Sequence, residues 1–243
     1  MTYKIEIAGF SIKGPNRQKN EDNMLWGDQF LGASHGDETI SAVLSSENSP
    51  WVAAFDGIGG EVKGEVASFI AASALSEQDN SPNDIQRVVD KMNDDVCRAS
   101  SDSKAYGMGT TAVAFNFSDD KICGFNVGDS RCYRMSSGML ERLSQDHVKH
   151  VGYPQRRLLT QYIGVDRSDF IVTPHQFRCP CRDDDIFMLC TDGITDVIID
   201  RNIKNILRGD ASLPGKLDAF RERLESRGVP DNATLVLAKV CRI

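Results

Sequence analysis

Three short apolar runs in the 243-residue chain each stop on an aspartate beside a glycine. Trp51 to Phe55 leads into Asp56-Gly57-Ile58-Gly59-Gly60, Ile122 to Val127 into Gly128-Asp129-Ser130-Arg131, and Ile186 to Cys190 into Thr191-Asp192-Gly193-Ile194-Thr195-Asp196. A looser fourth case places Asp231-Asn232-Ala233-Thr234 just before the apolar run Leu235 to Val240. Continuous apolar runs of this length, bounded by turn residues, predict buried strands. Alternation predicts further strands over Ile5–Ser11, Met24–Trp26, Thr111–Phe117, Cys132–Met135, a short one near Leu140, and Phe170–Phe177. Ser136-Ser137-Gly138 reads as a hairpin turn, and the polar stretch Ala33–Pro50 as a long surface loop or irregular hairpin.

Between the strand groups the period changes to that of a helix. Val62, Val66, Phe69, Ile70, Ala74 and Leu75 share one helical face, as do Ile85, Val88, Val89, Met92 and Val96 in a helix expected to start at Ser81-Pro82. Two more helices are predicted over Asp196–Leu207 and about Pro214–Ser226, the second ended by Gly228. Strands, two helices, many strands, two helices and a strand, joined mostly by short turns, make an α+β domain with antiparallel pairing. No repeat or linker interrupts it, so residues 1–243 are read as one domain.

The composition narrows the function. A net charge of -7 argues against a nucleic-acid partner, which calls for a basic face. No apolar stretch reaches the roughly 20 residues of a membrane helix, so a membrane role is not expected. The 7 cysteines include no Cys-x-x-Cys, and several lie inside apolar runs. This reads as a reducing, cytoplasmic setting. Aspartates at several strand ends of one domain form an acidic cup, which is costly to bury without cations. Oxygen donors without a His/Cys set suit Mg²⁺ or Mn²⁺ rather than zinc. A cup of hard divalent ions points to hydrolysis of a phosphate ester.

Six blocks sharpen this reading: Arg17-x-x-Asn20-Glu21-Asp22, Asp56-Gly57-x-Gly59-Gly60, Gly107-Met108-Gly109-Thr110-Thr111, Asn126 to Arg131, Thr191 to Asp196, and Asp231 to Thr234. Their order and spacing resemble the metal-dependent Ser/Thr protein phosphatases of the type 2C, or PPM, family, from about Lys13 to Val240. The resemblance implies a central β-sandwich of two antiparallel sheets flanked by helix pairs, with two Mn²⁺ or Mg²⁺ ions at one end. It implies that Asp56 bridges both ions, that the Gly57 carbonyl binds one, and that Asp192 and Asp231 ligate the other. Glu21 and Asp22 would ligate directly or hold bound water, and Asp129 with Asp196 would form a weaker third site. Arg17 would grip the phosphate, and a metal-bridging water would be the nucleophile. Phosphoserine and phosphothreonine proteins become the expected substrates, with a Ser/Thr kinase as the opposing activity. The Gly107–Thr111 block is expected to do structural work, and Arg131 to form a structural ion pair near Asp129.

Two departures stand out. Ile58 occupies the place where animal relatives often carry histidine; bacterial relatives usually have an apolar residue there, and this chain resembles them. None of His35, His147, His150 and His175 falls in a motif position that would make it the general acid, and packing or solvent-facing roles are expected for all four. The helical flap that bacterial relatives insert after Ser144-Gln145-Asp146-His147 is cut to a short loop around Val151–Pro154. The expected consequence is a more open site, with Arg156 or Arg157 helping to bind substrate. Two other readings stay open on the sequence: a catalytically weak regulatory module of the same fold, and a phosphatase for a small phosphorylated metabolite.

Overall fold

A computed structural model of the chain describes residues 2–58, 63–78, 84–118, 120–152 and 156–242. The first strands are β1 (Tyr3–Ile12), β2 (Asn23–Trp26), β3 (Gln29–Phe30), β4 (Glu38–Ser45), β5 (Trp51–Phe55) and β6 (Gly57–Ile58). Helices α1 (Gly64–Ser76) and α2 (Ile85–Asp102) follow, then β7 (Gly109–Thr110), β8 (Ala112–Ser118), β9 (Lys121–Val127), β10 (Arg131–Ser136) and β11 (Met139–Arg142). A hairpin of β12 (Val148–Val151) and β13 (Arg156–Leu159) leads to β14 (His175–Pro180) and β15 (Ile186–Cys190). Helices α3 (Asp192–Thr195), α4 (Asp200–Arg208) and α5 (Leu213–Glu225) precede the closing strand β16 (Ala233–Arg242).

Two six-stranded antiparallel sheets form the centre, in the orders β11-β10-β15-β16-β1-β4 and β14-β9-β8-β5-β2-β3. Strand alternation explains why the core strands are apolar throughout. In β5, Val52 and Ala54 face the other sheet, where they join Phe187 and Val236 in one core cluster with Phe115 of the neighbouring strand β8. Trp51, Ala53 and Phe55 face the opposite way, against Ala67, Leu75, Val89 and Met92 of α1 and α2. The other sheet is covered in the same manner: Phe10, Met188 and Leu237 pack against Ile203, Leu207, Leu217 and Phe220 of α4 and α5. Both faces of the central strands are therefore dry, and these strands read as runs rather than as alternations. The expected sandwich flanked by helix pairs is present.

Several local expectations change. The polar stretch 33–50 contains β4, an eight-residue edge strand paired with β1. Its Ile40, Ala42 and Leu44 pack inward while the intervening positions face solvent, so one apolar face sits inside a polar segment. The strand expected from Phe170 begins only at His175. Phe170 and Val172 pack against the α1–α2 cluster instead, and Gln86 Nε2 donates to the Val172 carbonyl at 2.8 Å. Pro174, lacking an N–H, suits that irregular approach.

The helix expected over Asp196–Leu207 begins only at Asp200, as α4, because Ile199 takes an extended conformation (φ -70, ψ 155) as its cap; the single turn of α3 ends at Thr195, before the expected start. The Ser81-Pro82 start of the second helix lies outside the described residues, as do Val62, Gly59 and Gly60. The described α2 starts at Ile85, with Asp84 capping Arg87 N at 3.2 Å. Its whole predicted stripe is buried. In α1 the fully buried positions are instead Ala67, Ala71, Ala74 and Leu75, with Val66, Phe69 and Ile70 half-buried. Small residues let this helix lie close to the sheet. The Ser136 to Gly138 turn is as expected, with Ser137 (φ 50) and Gly138 (φ 76) both left-handed between the paired Ser136 and Met139.

Candidate active site

Antiparallel order brings the acidic blocks together. The start of one strand lies beside the end of its neighbour, so residues far apart in sequence meet at one end of the sandwich. Asp22 precedes β2, whose first residue Asn23 pairs with Phe55, the last residue of β5 before Asp56. Asp192 follows β15 and Asp231 precedes β16, and these two strands pair Cys190 with Leu235. Arg17 follows β1, whose Ile12 pairs with Ala233. Asp129 lies in the turn between β9 and β10.

These segments enclose a cavity of about 280 Å³ lined by Arg17, Glu21, Asp56, Gly57, Ile58, Asp129, Arg157, Leu159, Asp192 and Asp231. Of the residues singled out from sequence, Asp22 lies buried behind the wall, and Asp196 stands at the rim, half exposed. Arg156 is exposed and does not line the cavity. Arg157 does. Its Nε lies 3.1 Å from Asp129 Oδ2 and its Nη1 2.7 Å from Asp196 Oδ1, while Nη2 binds Asp192 Oδ2. Arg17 pairs with Asp231.

The wall is built closely. A Cβ on Gly57 would stand 2.4 Å from the carbonyl oxygens of both Glu21 and Gly64, so only glycine lets the three segments meet. The Gly57 N–H donates to the Glu21 carbonyl at 3.1 Å. The Glu21 carboxylate accepts from the Gly64 N–H at the start of α1, where the helix dipole favours negative charge. The Thr110-Thr111 pair anchors Asp56 from behind. The Asp56 carbonyl accepts from Thr111 N and Thr110 Oγ1, both at 2.9 Å, and Asp56 N donates to Thr111 Oγ1 at 3.1 Å. The structural role expected for that block is what these bonds provide.

Crowded carboxylates raise one another's pKa values. Burial pushes Asp22 up to about 8, against the hydroxyls of Thr234 and Thr191, which hold its charged form. Asp56 is raised well above the usual carboxylate range by burial and then by the charge of Asp192. Burial and Asp192 push Asp129 to about 6 despite Arg157. Glu21 and Asp192 are also raised, burial being the largest cause for each. A chain that gathers this much unfavourable charge is suited to holding cations there.

A layer of hydroxyls behind the carboxylates escaped the sequence reading. Asn20 Nδ2 donates to Ser11 Oγ at 2.9 Å, and Ser11 Oγ lies 2.8 Å from Thr234 Oγ1. Since Thr234 serves Asp22, the donors run in one direction, from Asn20 through Ser11 and Thr234 to the carboxylate. Thr191 Oγ1 donates to Asp22 Oδ2 at 2.9 Å and accepts from Thr234 N at 3.0 Å. The available signal was that Thr191 and Thr234 sit inside the acidic blocks. Nothing local marks Ser11 as their partner.

Arg131 forms a structural ion pair, as expected, but with Asp146 rather than near Asp129. Its Nε is 3.0 Å from Asp146 Oδ1 and its Nη2 2.7 Å from Oδ2, because Arg157 already holds Asp129. None of the four histidines lines the cavity. Gly128 N donates to His147 Nδ1 at 3.2 Å, and burial lowers the His147 pKa, which keeps the ring neutral. Cys179 and Cys181 are pushed up to about 11 and about 12 by burial, which makes both poor thiolates. All seven cysteines are free.

The donor chemistry of the cavity fits hard divalent ions: carboxylates of Glu21, Asp56, Asp192 and Asp231, with no His or Cys in the lining. Among the described residues, however, no three such side chains already stand at coordination spacing. The guanidinium groups of Arg17 and Arg157 take up oxygens that a metal would use.

The model of the protein phosphatase 2C family matches residues 32–236. The serine/threonine phosphatase stp of Listeria monocytogenes serotype 4b (strain F2365) is 27% identical over 230 residues, covering 84% of this chain and 90% of that protein. The serine/threonine protein phosphatase PstP of Mycobacterium tuberculosis is 25% identical over 268 residues, covering 99% of this chain and 46% of that protein. The crystal structure of the PstP catalytic domain in complex with two manganese ions superposes with a TM-score of 0.76 at 24% identity, over 100% of both chains.

Proposed function

The chain belongs to the protein phosphatase 2C family, and on that premise we propose that it is a metal-dependent phosphatase of phosphoserine and phosphothreonine proteins, working as one domain over residues 1–243. The observation that carries this reading is the meeting of carboxylates from separate strand ends in one cavity, with an arginine on its wall. The names of the relatives support the substrate class. The central pairing of β1 with β16, which joins the two ends of the chain, supports the single domain.

Two Mn²⁺ or Mg²⁺ ions, when bound, supply Lewis acidity and a nucleophilic water at neutral pH. Asp56, the Gly57 carbonyl, Asp192 and Asp231 would hold these ions, with Glu21 and Asp22 as direct ligands or holders of water. Thr191 and Thr234 keep Asp22 oriented and favour its charged form. Arg17, which stays protonated, exchanges its partner Asp231 for two phosphate oxygens, a match for its planar fork. Arg17 and Asp231 on the cavity wall remain partly exposed, so the cavity opens to the surface, which suits a phosphorylated side chain presented from a protein. The leaving oxygen draws its proton from water or from a group other than histidine, since among the described residues no histidine lines the cavity.

The natural counterpart is a Ser/Thr kinase acting on the same proteins. Seven free thiols support a reducing cytoplasm as the location. Among the described residues no helix is long and apolar enough to cross a membrane. The test is phosphate release from a phosphothreonine peptide with Mn²⁺, Mg²⁺ or EDTA, alongside Asp192→Asn. Metal-dependent turnover that disappears with EDTA and in the variant is expected. Folded protein with no turnover under any metal would refute the reading.

A further inference from the structure

Among the described residues of the β12–β13 hairpin, Arg157 and Leu159 line the cavity, and Arg157 brings a charge into it. The Arg157 side chain is 28% exposed, and its guanidinium touches three carboxylates on two separate walls. Asp129 is held on the β9–β10 turn, and Asp192 and Asp196 flank the single turn of α3. Asp192 is shared: one side faces Asp56 and the inner cavity, and Oδ2 faces Arg157. Arg157 thus sits where the outer carboxylates would otherwise be free to hold a cation of their own.

The hairpin that carries it is lightly built. β12 and β13 have four residues each, pair only with one another and join neither large sheet. Val151 and Leu158 on it are exposed. Backbone bonds from His147 N to Gly128 O (2.9 Å) and from Thr160 N to His147 O (2.8 Å) tie its base. An isolated two-stranded hairpin is marginal in water, so the ion pairs of Arg157 are a large part of what seats it.

We propose that Arg157 is a built-in cation of the outer acidic half-site, which competes with a divalent metal for Asp129, Asp192 and Asp196 and so sets how many ions the chain takes up. This rests on the proposed dinuclear reading. Two ions bind between Glu21, Asp56, Asp192 and Asp231, and a further ion enters only when the β12–β13 hairpin withdraws its arginine. Metal loading and hairpin position are then linked: each further ion loosens the hairpin, and a seated hairpin weakens the further ion.

The experiment is equilibrium dialysis of the full chain against Mn²⁺, with bound metal counted by mass spectrometry, for wild type, Arg157→Gln, and Arg157→Gln combined with Asp129→Asn. The single variant is expected to gain an ion that wild type binds about tenfold more weakly or worse, within the usual range of coupling between sites. The double variant is expected to lose that ion while keeping the first two. Hydrogen exchange on wild type gives a second readout without any substitution. Amides of residues 148–152 and 156–159 should exchange faster at Mn²⁺ concentrations beyond those that fill the first two sites. Equal stoichiometry and affinity in wild type and Arg157→Gln, or exchange that does not respond to the further metal, would overturn the competition alone. A wild-type chain that binds no Mn²⁺ at all would overturn the dinuclear reading as well.

Discussion

Thr191→Val changes one atom group in the layer behind the carboxylates and leaves side-chain shape almost intact. Thr191 is fully buried, donates to Asp22 Oδ2 at 2.9 Å and accepts from Thr234 N at 3.0 Å. Losing a hydrogen bond to a charged group costs roughly 1.5–3 kcal/mol, and a buried N–H left without an acceptor costs roughly 1–3 kcal/mol. The two losses share one site and are not fully additive, so about 3 kcal/mol is expected in EDTA. For a domain of this size that lowers Tm by roughly 6–12 °C. The same change removes support from Asp22, the proposed ligand or holder of metal-bound water, so Mn²⁺ affinity should fall by roughly 10–100-fold. The penalty should also grow with pH: the hydroxyl favours the ionised carboxyl of Asp22, whose pKa of about 8 leaves it largely protonated in acid. The assay is thermal and urea unfolding at pH 6 and pH 9, with Thr191→Ser as the control that keeps the hydroxyl and drops the methyl. If Ser and Val are equally destabilised, packing of the methyl carries the effect and the hydrogen-bond argument is refuted.

Two further outcomes follow from the same geometry. The folded-state pKa values of Asp22, Asp129 and Asp56 are all raised, so without metal the folded chain binds more protons than the unfolded one. Stability in EDTA should be greatest in mild acid and fall as pH rises toward 8, whereas saturating Mn²⁺, which needs charged carboxylates, should stabilise more as pH rises. Thermal scans of the chain in EDTA that show Tm climbing between pH 5.5 and 8.5, with Asp22→Asn tracking wild type, would contradict this. Gly193→Ala should be severe, because its Cβ would stand 1.9 Å from the Asn232 carbonyl oxygen. The backbone must open between the two aspartates of the cavity, at a cost of about 3 kcal/mol or more, and urea midpoints together with Mn²⁺ binding would reveal a failure to do so.

Much of this protein was legible in local pattern. Apolar runs such as Trp51–Phe55 and Ile186–Cys190 become strands buried on both faces, and the Asp-Gly turns that end them reach the cavity. The stripe Ile85, Val88, Val89, Met92 and Val96 is the buried face of α2. These features repeat at short range, where backbone geometry alone decides which side chains share a face. β4 was missed because its apolar face is only Ile40, Ala42 and Leu44 among polar neighbours, a weak signal until β1 supplies the pairing edge. The partner of Arg131, the link from Ser11 to Thr234 and the seat of Arg157 among Asp129, Asp192 and Asp196 had no local signal at all. Each joins residues on different strands, and strand order, not spacing, decides which strand ends meet. Sequence alone determined which residues carry charge and which strands must be dry. Only the tertiary pairing, by closing β1 on β16 and laying the β12–β13 hairpin over the cavity, decided which arginine faces which aspartate.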